Sequence, residues 1–205
     1  MAWKIERWLS EVFPGESEIV EEYRALSARE LAIVAAGVLD VALAELLTLR
    51  LLPFEREAED FLGVNGDGRA PAGSFGSRIQ LGLLVGLLTE EDAAILRTIK
   101  EIRNVFAHRV RVNFLSPPAQ KATKKLHRLW VKRTEGLIAA GVMQGDTKEL
   151  SDLAKHLPSV SQAGEGLLLA VFTTYHAYFH RMQPRVERID VALRKNRNEA
   201  IGILN

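Results

Sequence analysis

Apolar residues recur along the chain at helical spacing, and no segment shows the strict alternation that is typical of a half-buried strand. The most apolar stretch, from Leu31 to Leu52, follows Ser27 and Glu30, whose spacing is that of a capping box. Pro53 ends the stretch, because proline lacks a backbone donor and clashes with the preceding turn. We therefore expect a helix over residues 28–52 and an all-α protein.

Glycine and proline divide the rest of the chain into further elements. Residues 63–74 hold four glycines and a proline, which predicts a loop. Ser74 can cap the helix that follows, and Thr89 with Asp92 makes a second capping box. The remaining predicted elements are helices at about residues 75–87, 119–140, 165–182 and 184–196, with a loop around a short helix at 141–164. Together they predict a compact bundle of about six to eight helices in one domain, residues 1–205.

The helix that begins at Thr89 has two distinct faces. At about 100° per residue, four apolar positions fall within about 60° of each other and predict its core stripe. They are Ile95, Ile99, Ile102 and Phe106. Asn104 and His108 lie roughly opposite this stripe, and Arg103 lies on its flank. The polar end of the helix therefore points away from the core, and we expect a second subunit to cover it.

Charge is distributed unevenly, although the net charge is only +1. Residues 97–133 hold eleven lysines and arginines and one acidic residue, whereas residues 1–96 hold eight basic and seventeen acidic ones. The helix after Pro118 carries four basic residues whose offsets place them on one face. These are Lys121, Lys125, Arg128 and Lys132, which we call the basic face. It predicts a surface that binds DNA or RNA phosphates, one that docks on the acidic N-terminal half of the chain, or a solvated helix face.

Asp40 lies within the most apolar predicted helix, where an unpaired carboxylate would be costly. Arg78 and Arg103 are the candidate partners for a structural ion pair, and we take Arg78 as the one. The same helix is about long enough to span a bilayer. Its charges at Asp40, Glu45 and Arg50 indicate a buried helix of a soluble protein instead, so that no membrane association is expected.

No cofactor or metal site is expected. The glycine-rich loop lacks the Gly-Lys-Ser/Thr ending of a phosphate-binding loop. His176 and His180 have a spacing that can bind zinc, but packing among neighbouring aromatic residues accounts for them better. The chain has no cysteine, and its mixed-charge start, MAWKIERWLSEVF, differs from a signal peptide. A cytoplasmic location is therefore expected.

The segment NGDGRAPAGSFGSRIQLGLLVGLLTEEDAAILRTIKEIRNVFAHRV contains a GDG or GSF loop, an RI pair, a GLL turn and an arginine-to-histidine ending. With VLDVALAELL before it and FLSPP after it, this segment resembles the mannitol operon repressor family over residues 27–118. The basic helix and the C-terminal helices, residues 119–205, match no family that we can place. The resemblance implies a transcriptional regulator that acts through protein contacts or weak nucleic-acid binding.

The ending RNVFAH, residues 103–108, is also similar to the signature of the HEPN superfamily, helical domains in which R-x4-6-H forms a metal-independent ribonuclease site in many toxins. Arg103, Asn104 and His108 match that pattern. The resemblance implies a HEPN-like core and, as the alternative function, an endoribonuclease of a toxin or defence system. A neutral His108 would take the 2′-hydroxyl proton, and Arg103 would stabilise charge on the phosphate.

On an ideal helix, Arg103 and His108 lie about 140° apart, so that one chain is poorly placed to bring both to one phosphate. A two-fold homodimer would relieve this misfit by placing each His108 near Arg103 of the partner subunit. In the structural alternative, His108 and Arg109 are cations that interact favourably with a helix C-terminus. A plain oligomeric scaffold is the third class of function that the sequence leaves open.

Overall fold

The computed structural model describes residues 22–23, 25–51, 55–63, 69–139, 161–176, 178–179, 182 and 186. Every regular element within these residues is helical, so the predicted all-α class is confirmed. The helices are α1 (Ala28–Arg50), α2 (Glu55–Leu62), α3 (Phe75–Leu84), α4 (Glu90–Ala107), α5 (Pro117–Ala139) and α6 (161–176).

Both capping boxes predicted from the sequence are present. The backbone N–H and the hydroxyl of Ser27 donate to Glu30 Oε2 at 2.8 and 2.6 Å, which begins α1. At the start of α4, the backbone N–H and hydroxyl of Thr89 donate to Asp92 Oδ2 at 3.1 and 2.7 Å. Ser74 caps α3 as predicted, and Ser77 completes a third box that the sequence pattern did not indicate, because serine replaces the usual glutamate or glutamine.

Three predicted helix ends are wrong. Helix α1 ends at Arg50 instead of residue 52. Helix α3 ends at Leu84 instead of residue 87, because Gly86 has a φ of +73° and the N–H groups of Leu87 and Leu88 both turn back to the carbonyl of Gly82. Helix α5 begins at Pro117 instead of residue 119, because a proline in the first helical turn has no donor to satisfy.

The loop predicted over residues 141–164 is wrong at its end, where residues 161–164 already belong to α6. Gly164 lies within this helix, and its lack of a side chain lets the backbone of α6 approach Phe114 closely. A Cβ atom there would lie 2.8 Å from the Phe114 side chain. The rest of that loop, and most of the predicted helix at 184–196, lie outside the described residues.

The structure groups into two compact units, of which the first comprises Met1–Val38 and Thr89–Thr174. Its core includes the stripe predicted for α4, all four members of which are fully buried. Helix α5 packs against α4 and buries residues that include Leu126 and Trp130. The Phe106 and Phe114 rings lie 4.8 Å apart, so the loop after α4 is packed into the same core.

The second unit comprises Leu39–Leu88 and Tyr175–Asn205. Arg78, which is 6% exposed, lies 2.7 Å from Asp40 Oδ1 through Nη1 and forms the ion pair expected from the sequence. Its Nη2 donates to the Leu62 carbonyl at 2.7 Å and its Nε to the Ala72 carbonyl at 3.1 Å. One guanidinium thereby joins α1, the end of α2 and the segment that leads into α3.

Among the described helices, one is long and apolar enough to cross a membrane by length and composition, namely α1. Of its most apolar window, 61% is buried inside the protein. A core helix of a folded domain passes the same test, and the burial of α1 is that of a core helix.

Candidate functional site

A shallow groove of about 480 Å³ runs along one face of α4 near its C-terminal end. It is lined by Arg97, Lys100, Glu101, Asn104, Val105, His108 and Arg109, and we call it the α4 groove. Four of these residues repeat the helical offsets of the buried stripe but lie on the opposite side of the helix. The groove is therefore the outward face of α4, placed by the burial of the other face.

The charge of the α4 groove is strongly biased. Three side chains that carry a permanent positive charge line it, namely Arg97, Lys100 and Arg109, against one carboxylate, that of Glu101. Glu101 is also the only acidic residue between positions 97 and 133. Its carboxylate is 3.0 Å from Lys125 Nζ, so much of its charge is already neutralised within the protein. The groove therefore attracts anions.

The four residues of the basic face are all exposed on α5, as the sequence predicted. Two of them form ion pairs with α4, because Lys125 meets Glu101 at 3.0 Å and Lys132 meets Glu91 at 3.6 Å. The other two, Lys121 and Arg128, form no ion pair within the part of the chain that the structure describes. Of the two ion pairs, the one between Lys132 and Glu91 is with the acidic part of the chain, residues 1–96, whereas Lys125 pairs with Glu101 outside it.

The Glu91 carboxylate is stabilised by two groups, its own backbone N–H and the ammonium group of Lys132. Its pKa lies below the ordinary value, first because its own backbone N–H at the start of α4 donates to the carboxylate, and further because Lys132 attracts the charge. The ion pair with Lys132 therefore adds stabilisation to a carboxylate that the start of α4 already stabilises.

Glu101 connects the two surfaces. It lines the α4 groove on one side and holds Lys125 of the basic face on the other. Lys121 and Arg128 lie one helical turn before and after Lys125 on the same face of α5. The groove and the basic face therefore meet at the ion pair of Glu101 and Lys125.

The RNVFAH motif is only partly assembled within one chain. Asn104 and His108 line the α4 groove, whereas Arg103 is exposed outside it and donates from Nη1 to Asn104 Oδ1 at 2.9 Å. His108 caps the C-terminus of α4, its backbone N–H donating to the Asn104 carbonyl at 3.1 Å. Within one chain, Arg103 and His108 do not face the same groove.

The end of the α4 groove is anchored from α1. Arg29 Nη2 donates to the backbone carbonyls of Arg109 and Val110, the latter at 2.7 Å. These bonds hold the chain as it leaves α4 and so fix the backbone beside His108. Since 80 residues separate Arg29 from Arg109, no local sequence pattern could indicate this contact.

Sequence reasoning identified Asn104 and His108 but missed the cations that surround them. A signal was present, because Arg97, Glu101, Asn104 and His108 follow the offsets 0, 4, 7 and 11 of one helix face. Among the described residues, no group of three or more histidine and acidic side chains could hold a metal ion. Of the histidine pair considered for zinc, His180 lies outside the described residues.

Comparison of the chain with models of known protein families, with curated proteins and with solved structures finds no match. The features of the described residues that bear on function are therefore the α4 groove and the basic face.

Proposed function

We propose that the protein is a regulator, of the type implied by its resemblance to the mannitol operon repressor family, that binds nucleic acid weakly through the α4 groove and the basic face. One observation carries the proposal. Three cations surround a single carboxylate in the groove, and that carboxylate joins the groove to the basic face through Lys125. The surface thus supplies a continuous track of positive charge for a phosphate backbone.

The expected affinity follows from the kind of contact. Lysine and arginine side chains bind phosphates by releasing condensed counterions, so binding weakens steeply as salt increases. Purely electrostatic binding has dissociation constants of about 10⁻⁴ to 10⁻⁶ M at physiological salt. Contacts to the phosphate backbone carry no sequence information, and sequence preference is therefore expected to be small.

The test is a titration of fluorescently labelled DNA and RNA of about 20 nucleotides, followed by anisotropy over a range of salt concentrations. Two double variants remove the track: Arg97→Glu with Lys100→Glu, and Lys121→Glu with Arg128→Glu. Each should weaken binding at low salt by about tenfold or more, because every reversal loses an attraction and adds a repulsion.

A matched control reverses exposed arginines of the other compact unit, Arg50→Glu with Arg56→Glu. This control has the same change in net charge and should stay within about twofold of the parent. Parent protein that binds neither nucleic acid at low salt would contradict the proposal and leave protein contacts as the regulator's mode of action. Equal losses in the control and the groove variant would show that net charge alone governs binding.

A second candidate, the HEPN-type endoribonuclease, is favoured by one observation: Asn104 and His108 share the α4 groove. Because Arg103 lies outside that groove, the complete residue set would need Arg103 of a second copy, in a two-fold homodimer. His108→Ala should then abolish EDTA-resistant RNA cleavage while leaving the dimer intact. Sedimentation as a monomer at micromolar concentration, together with no cleavage by the parent, would contradict this candidate.

A further inference from the structure

Arg103 and Asn104 are neighbours in sequence whose side chains are joined, Arg103 Nη1 lying 2.9 Å from Asn104 Oδ1. A guanidinium has only donors, so the Asn104 atom that meets it has to be the amide oxygen. The amide nitrogen of Asn104, with its two hydrogens, is then left for another partner. This orientation follows from donor and acceptor chemistry alone.

Most polar groups of the α4 groove are hydrogen-bond donors, because arginine and lysine side chains have no acceptor. Arg97, Lys100 and Arg109 can only donate, and the oriented Asn104 amide adds two further N–H groups. The one carboxylate, Glu101, already accepts from Lys125. A surface that offers mostly donors, and whose one carboxylate is paired with Lys125, suits an oxyanion.

Arg103 itself lies on another side of the helix. At about 100° per residue, its direction is roughly 120° or more from the axis of the face that Arg97, Glu101 and His108 define. Consistently, Arg103 does not line the groove. Arg103, to which the HEPN-like motif would assign the phosphate contact, thus lies outside the groove.

We propose that Arg103 is a positioning residue for the α4 groove. It holds the Asn104 amide with its NH₂ group toward the groove, where that group donates to a non-bridging phosphate oxygen of a nucleic-acid strand, and Arg103 makes no phosphate contact of its own. This inference rests on the proposed function. In it, Arg103, which lies outside the α4 groove, orients the Asn104 amide that binds the phosphate.

A double-mutant cycle separates positioning from direct contact. Binding of a labelled single-stranded RNA of about 20 nucleotides is measured for Arg103→Ala, Asn104→Ala and the double variant. If Arg103 acts through Asn104, each single change weakens binding by roughly threefold to tenfold, the range for one ordinary hydrogen bond at an exposed surface. The double variant then binds no more weakly than Asn104→Ala alone.

The salt dependence gives a second readout. A residue that contacts a phosphate contributes about one unit to the slope of log affinity against log salt concentration, whereas a positioning residue leaves the slope unchanged. Lys100→Ala is the matched control for direct contact and should lower the slope by about one. Because Arg103 is exposed and Asn104 half-buried, circular dichroism should show an unchanged fold for every variant.

Multiplicative losses in the double variant, or a slope reduced by about one in Arg103→Ala, would overturn the positioning role and leave the proposed function standing. Absence of salt-dependent binding by the parent would instead overturn both. The two failures are therefore distinguishable.

Discussion

Arg133 holds both carboxylate oxygens of Asp92, with Nε 2.9 Å from Oδ1 and Nη2 3.2 Å from Oδ2. The Asp92 side chain is only 1% exposed, and it also accepts the N–H and hydroxyl of Thr89. The pair links the first turn of α4 to the C-terminal half of α5. It therefore fixes the two helices whose outer faces form the α4 groove and the basic face.

Replacing Arg133 by methionine should lower the free energy of unfolding by roughly 3 to 5 kcal/mol, because a buried carboxylate loses its counter-charge. The neighbouring Lys132→Met is a matched control, since Lys132 is 73% exposed and meets Glu91 only at 3.6 Å. That change should alter stability by less than about 1 kcal/mol. Urea unfolding followed by circular dichroism measures both, and equal effects would contradict the assignment of Asp92 and Arg133 as a structural pair.

Lysine should not be able to replace Arg78, whose guanidinium joins α1, the end of α2 and the segment that leads into α3. Arg78 directs Nε, Nη1 and Nη2 to three separate acceptors, and an ammonium group cannot reproduce that planar arrangement. Arg78→Lys is therefore expected to destabilise the protein by roughly 3 kcal/mol, through carbonyls left without donors. If thermal unfolding showed Arg78→Lys to be as stable as the parent, charge alone would explain the pair with Asp40.

Gly164 and Gly166 of α6 offer a paired test of close packing. A Cβ atom at Gly164 would lie 2.8 Å from Phe114, including its Cβ, whereas at Gly166 nothing lies within 4 Å. Gly164→Ala should therefore destabilise the protein by about 1 to 3 kcal/mol, as overpacking does. Gly166→Ala should stabilise it by up to about 1 kcal/mol, because alanine restricts the unfolded chain. In denaturant unfolding, a Gly164→Ala variant as stable as the parent, or one that is stabilised like Gly166→Ala, would contradict the packing of α6 on Phe114.

Tyr23 should make the fold sensitive to alkali. Burial, with a smaller contribution from the negative charge of Glu22, raises the pKa of the Tyr23 hydroxyl above its usual range. A raised folded-state pKa contributes stability that is fully present below about pH 10 and is lost as pH rises above the unfolded value. The loss can reach about 1.4 kcal/mol per pH unit. Tyr23→Phe should flatten this dependence above pH 10 relative to the parent, and parallel pH profiles for the two proteins would contradict it.

Local patterns in the sequence predicted much of this fold. Two capping boxes, the buried stripe of α4 and the exposure of the basic face all depend on residues three to eleven positions apart, which helical periodicity relates directly. Asp40 called for a cation because an unpaired carboxylate in an apolar helix is costly, and Arg78 was one of the two candidates. The pair of Asp92 and Arg133 was missed, because both residues lie among other charged residues in the sequence and neither indicated a need for a buried partner.

The candidate site was predictable in part for the same reason. The outward direction of Asn104 and His108 follows from the stripe opposite them, but the bond between Arg103 and Asn104 depends on rotamers that periodicity does not fix. The ion pairs that α4 makes with Lys125 and Lys132 depend on how α4 and α5 pack. The end of α3 was missed because glycine can adopt either sign of φ, and the sequence does not show that Gly86 adopts a positive φ and ends the helix.

The central claim, that the α4 groove receives the phosphates of nucleic acid, is tested most directly by Glu101→Gln. This change removes the one carboxylate of the groove and frees Lys125, so RNA affinity at 0.1 M salt should rise by up to about fivefold, as one unit charge near a phosphate would give in water. Glu90→Gln is the control, because Glu90 is exposed at the other end of α4, about 16 Å away and beyond the screening length at 0.1 M salt. Tighter binding by Glu101→Gln alone is the predicted result. Unchanged or weaker binding would contradict the claim that the groove receives a phosphate.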